Sequence, residues 1–69
     1  MSLEKRSLSL SGHRTSIALE PAFWAALEAI AAARSTTLPG LIASIDDARI
    51  PGDGLASALR VFALTMQGS

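Results

Sequence analysis

The chain has no cysteine and no tyrosine, and its single imidazole is His13. Without thiols it has neither disulfides nor a thiolate metal site to staple a small fold. One histidine does not make a zinc site, so no metal and no cofactor are expected. Long apolar runs are also missing. The most apolar stretch, Ala22 to Ala33, is interrupted by Glu28, and a membrane span needs roughly 20 residues. Behind Lys5 and Arg6 there is no unbroken apolar segment of the secretory type, so a cytoplasmic location without membrane insertion is expected. The net charge is zero, which weighs mildly against a nucleic-acid binder.

What is present is hydrophobic material, in excess. At 69 residues, 49% of them hydrophobic, and with a mean hydropathy of +0.37, the chain is one domain with more apolar surface than a monomer of this size readily buries. A homodimer whose interface is part of the core is the expected resolution. The charge is also unevenly spread. Residues 1–19 carry Lys5, Arg6 and Arg14 against Glu4, whereas residues 20–69 carry Arg34, Arg49 and Arg60 against five acids. The N-terminal end is therefore locally basic.

The pattern organising the chain is His13 to Leu19. Thr15, Ile17 and Leu19 recur at every second position with Arg14, Ser16 and Ala18 between them, the signature of a strand at about 14–19 with one apolar face and one small, polar face. Such a strand needs a partner for its backbone. One candidate is about residues 6–10, where Leu8 and Leu10 also alternate and Ser11-Gly12 signals a turn. A loop of Ser11 to Arg14 would pair Leu10 with Thr15 and Leu8 with Ile17, keeping the apolar sets on one face. The other reading of this segment is a flexible basic arm, with the same strand of a second copy as partner.

Helical periodicity follows. Pro21 suits a first helical position, and Phe23, Leu27 and Ile30 form a stripe in an alanine-rich helix of about 21–34. Thr37 is a good N-cap for a second helix, about 38–48, with Leu38, Leu41, Ile42 and Ile45 on one face. After the breaker Pro51-Gly52-Asp53-Gly54, a third helix of about 55–66 lines up Leu55, Leu59, Phe62 and Met66. Val61, Ala63 and Leu64 widen that face, predicting cover on two sides.

None of these features is catalytic. Asp46 and Asp47 are sequence neighbours that diverge by about 100° on a helix, so a solvated face or an Arg49 partner is expected rather than acid–base chemistry. Gly52-Asp53-Gly54 lacks the lysine and glycine spacing of a phosphate-binding loop. No serine lies in an activating motif. Phe23 and Trp24 at a helix start read as packing residues, and His13 reads as a turn residue. The chain is not expected to be an enzyme.

A strand followed by two helices joined through a Ser/Thr turn resembles the ribbon-helix-helix family. The likeness is carried by Arg14 to Trp24, Leu27, Ile30-Ala31 and Thr37 to Ile45, and more narrowly by KRSLSLSGHRTSIALEPAFWAALEAIA, LIASID and LASALRVFAL. The stretch is similar to small stand-alone bacterial members. The resemblance implies a mainly α fold with a short β-ribbon in an intertwined homodimer, here with an extra N-terminal strand or arm and a third helix. It implies a dimer core of Ile17, Leu19, Phe23, Leu27, Ile42, Ile45 and Phe62. It also implies a bacterial transcriptional regulator, such as a repressor, whose two-stranded ribbon enters the major groove of double-stranded DNA. Arg14, Ser16 and Ala18 take the base-reading positions. Thr37 and Gly40 match a phosphate anchor at the second helix, weakened by Pro39, while Lys5 and Arg6 are further phosphate contacts. The alternative is a dimeric protein-interaction module, antitoxin-like or a scaffold, docking a protein partner on the third helix. A second strand on each ribbon edge would support that alternative. Four strands at roughly 4.8 Å spacing approach 15 Å between outer axes, against a groove of about 12 Å.

Overall fold

A computed structural model of the chain describes residues 2–67. Two strands, β1 (Glu4–Leu10) and β2 (His13–Leu19), precede three helices, α1 (Pro21–Ala33), α2 (Leu38–Ala48) and α3 (Leu55–Gln67). The N-terminal segment is a strand, not an arm, and it begins two residues earlier than its alternation suggests. β1 pairs antiparallel with β2 in a two-stranded sheet.

The register differs from the expected one by two residues. Leu10 faces His13, Leu8 faces Thr15 and Arg6 faces Ile17. The cause is the turn. Ser11 and Gly12 both have positive φ, 51° and 83°, the backbone of a two-residue hairpin whose twist matches its strands. It closes tighter than a four-residue loop. An even shift leaves every side chain on its expected face, so Leu8, Leu10, Ile17 and Leu19 still point towards the helices.

Both ends of α1 and the starts of α2 and α3 have identifiable causes. At α1, Pro21 follows an extended Glu20 whose carbonyl accepts from the Phe23 and Trp24 N–H groups at 2.9 and 3.3 Å. The helix ends with Ser35 at φ 55°, the Ser35 N–H reaching the Ala32 carbonyl and the Thr36 N–H that of Ala31. This is a Schellman pair satisfying two terminal carbonyls. Thr37 caps α2 as expected, its Oγ1 accepting from the Gly40 N–H at 3.1 Å. At α3 the Gly54 carbonyl accepts the first helical bond, from Ala58.

The core lies between the inner face of the hairpin and the three helices. Leu19, Trp24, Leu27, Ile42 and Leu59 are completely buried, with Leu10, Ile17, Leu41 and Ile45 around them. Ile17, Leu19, Leu27, Ile42 and Ile45, expected at a dimer core, are thus buried within a single chain. α3 folds back over α1 and α2 and covers them, so their burial does not call for a second copy. Phe23 and Phe62 are only partly buried, and each lies beneath an arginine, Arg60 at 5.9 Å and Arg34 at 5.3 Å from the ring centre. The broad apolar face of α3 is covered on one side only. Leu59 and Ala63 are buried, while Val61 and Leu64 are 61% and 62% exposed and Ile50, before α3, is 70% exposed.

Candidate nucleic-acid interface

The alternation of the hairpin sorts its charges as well as its apolar groups. Lys5, Ser7 and Ser9 of β1 and Arg14 and Ser16 of β2 are exposed on the outer face, with Ala18 half-buried beside them. Cross-strand pairing sets Lys5 beside Ala18, Ser7 beside Ser16 and Ser9 beside Arg14. The result is an outer face of small side chains with a cation at each of two diagonal corners and no acid. Arg14, Ser16 and Ala18, the residues the resemblance puts forward for base reading, thus share one row on the face turned away from the helices. Ser7 and Ser9 were not among the expected site residues. Their signal was the same alternation that put Leu8 and Leu10 on the inner face.

Arg6 is corrected. Period two places it inward with Glu4 and Leu8, not outward as a phosphate contact. Its Nε donates to Glu4 Oε2 at 2.5 Å and its Nη1 to Glu28 Oε1 at 2.6 Å, and the guanidinium lies over the Trp24 ring at 4.7 Å. The Glu28 hydrogen bond, then that of Glu4, raises its pKa further above an already high value. Trp24 in turn donates its indole N–H to the Glu4 carbonyl at 2.8 Å. Arg6 is a clamp between hairpin and α1.

Zero net charge conceals a division between paired and unpaired cations. Arg6 is neutralised by Glu4 and Glu28, Arg49 by Asp46 at 2.6 Å, and Arg60 by Glu20 at 3.0 Å. Among the described residues Lys5, Arg14 and Arg34 form no ion pair, Arg34 lying instead over the Phe62 ring. Near the hairpin turn, Arg14 and His13 border a shallow polar depression with Asp46 and Asp47 on its other wall. Asp46 is engaged by Arg49, as one of the expected readings had it.

At the start of α2 the anchor is smaller than the resemblance implies. The Gly40 N–H is consumed by the Thr37 cap and Pro39 has none, which leaves the Leu38 N–H and the Thr37 hydroxyl proton for an anion. A larger residue at Gly40 would press on the Thr36 and Thr37 side chains. A Cβ there would lie 2.9 Å from Thr37 Oγ1 and 3.2 Å from Thr36 Oγ1.

Among the described residues no cluster of three or more potential metal ligands occurs, and no helix is long and apolar enough to cross a membrane. No curated protein matches the sequence. A solved structure, that of an uncharacterized protein from Bordetella pertussis Tohama I, is similar at 34% identity and a TM-score of 0.78. The alignment covers 97% of this chain and 57% of that one, so the chain spans little more than half its length. Residues 3–66 match the ribbon-helix-helix domain. With a ribbon leading into a proline-started helix and a threonine-capped second helix, the chain belongs to the ribbon-helix-helix domain family.

Proposed function

We propose that the protein is a sequence-specific DNA-binding regulator, acting as a homodimer, that presents the outer face of its ribbon to the major groove. The observation carrying this reading is the composition of the outer face, which holds two cations outside any ion pair, Lys5 and Arg14, and no acid, while Arg6 holds Glu4 and Glu28 away from it. Arg14 has the reach and fork to bond guanine O6 and N7, Ser16 can donate or accept, and Ala18 offers a methyl contact. The Leu38 N–H, the Thr37 hydroxyl and the α2 dipole would hold one phosphate. This is binding chemistry, not catalysis.

Titration of duplex DNA binding against salt tests it. A regulator using Lys5, Arg14 and the α2 terminus from two copies loses affinity steeply as salt rises. The second reading, a protein-interaction module, is favoured by the open apolar face of α3 and by a ribbon that becomes four strands wide if two β2 edges pair. That module would bind duplex DNA weakly or not at all at every salt concentration.

A further inference from the structure

The uncovered face of α3 is complementary to itself. We infer that α3 packs antiparallel against α3 of a second copy, about a dyad at Val61. The inference gives the homodimer of the reading above a helix contact, one that uses no atom of the open β2 edge and does not depend on DNA.

Three observations carry it. First, α3 presents a continuous stripe to solvent. Ser57, Val61, Leu64 and Thr65 are all exposed, and their spacing of i, i+4, i+7 and i+8 puts them on one face of the helix. Second, the stripe matches its own reverse. A two-fold axis at Val61 sets each residue level with the one equally far away on the other side. Leu64 then shares a level with the partner's Ala58, and Thr65 with the partner's Ser57. Large meets small, as interdigitation requires, and hydroxyl meets hydroxyl. A parallel pair would instead set Leu64 against Leu64. Third, the charges at the two ends of α3 are opposite. Arg34 lies over the Phe62 ring and donates to Met66 Sδ at 3.2 Å, near the C-terminal end. Asp53 lies just before the N-terminal end. Among the described residues neither forms an ion pair. Antiparallel packing brings Arg34 of each copy to the end that holds the partner's Asp53, whereas parallel packing would bring the two arginines together.

The chain has no cysteine, so introduced thiols report on the contact directly. The experiment is cross-linking of the full chain without DNA, by mild oxidation and by a short bismaleimide, with folding verified by circular dichroism melting. Val61→Cys should link to itself as a covalent dimer. Ser57→Cys alone should not, because eight residues of helix separate the two copies of that position by about 12 Å, beyond the reach of a disulfide. Thr65→Cys alone should not link for the same reason. A mixture of Ser57→Cys and Thr65→Cys protein should give the mixed dimer, and that product should be lost when Leu64→Lys is added to both. Sedimentation supplies a second test. Arg34→Glu should weaken the dimer about 2- to 5-fold, and Arg34→Glu with Asp53→Arg should recover it. Self-linking of Ser57→Cys would overturn the antiparallel pair. Failure of both Val61→Cys and the mixture to link, from folded protein, would overturn the contact altogether while leaving DNA reading by the ribbon untouched. Conversely, a protein that cross-links as expected but binds no duplex DNA would keep the contact and lose the regulator reading.

Discussion

Arg6 and Lys5 are adjacent, both cationic, and assigned opposite work by a period of two. Arg6→Ala removes a guanidinium from Glu4, Glu28 and the Trp24 ring. It should cost about 1–2 kcal/mol of stability, through lost stem packing and the cation–π contact as much as charge. Lys5→Ala, on the exposed face, should change stability by less than about 0.5 kcal/mol; chemical denaturation of the two variants checks both. Glu20 sets a pH response. Its own backbone N–H, then Arg60, holds its carboxyl below the ordinary glutamate range. A lowered folded-state pKa contributes stability that is complete above the unfolded value and is lost as pH falls through the folded one. Glu20→Gln should therefore melt below wild type at pH 7, and the gap should close as the pH falls below about 4.

Among the elements, Trp24 joins the hairpin to the helices. Its ring is completely buried and its N–H holds the Glu4 carbonyl at the start of β1. Trp24→Phe keeps most of the packing and removes that bond. A loss of about 1–2 kcal/mol is expected, together with faster amide exchange at the start of β1 while the centre of α2 stays protected. How much was legible beforehand varied by element. The α2 boundaries, the Thr37 cap and the strand faces followed from periodicity and turn chemistry, which act locally. The hairpin register did not, because Ser11-Gly12 marks a turn without fixing its length, and the positive φ at Ser11 emerges only once the chain is folded. Trp24 was readable as a packing residue but not as the anchor of β1, a contact between residues twenty positions apart. The placement of the candidate residues was half legible. Arg14, Ser16 and Ala18 fell on the expected face, whereas Arg6 was misplaced because basic character was given more weight than strand parity.

For the molecule as a unit, apolar content and burial give different answers about assembly. One chain suffices to bury Leu19, Trp24, Leu27, Ile42 and Leu59. It still leaves a groove of about 520 Å³ lined by Ile45, Ile50, Val61, Phe62 and Met66, with Leu64 exposed on the same helix. If this surplus is what a second copy covers, Val61→Lys with Leu64→Lys should shift the protein from dimer to monomer in sedimentation while leaving the far-ultraviolet spectrum intact. A dimer unaffected by both lysines would place the interface elsewhere, on the open edge of β2 among other surfaces. Whether the outer ribbon face reads DNA is decided by enrichment of genomic fragments with wild type and Arg14→Ala, in parallel at near-physiological salt. The predicted result is a palindromic sequence enriched by wild type, with Arg14→Ala losing preference at one base pair per half-site at a cost of about 1–3 kcal/mol. Enrichment by neither protein, from samples that are folded dimers, would contradict DNA reading by the ribbon and favour the interaction module.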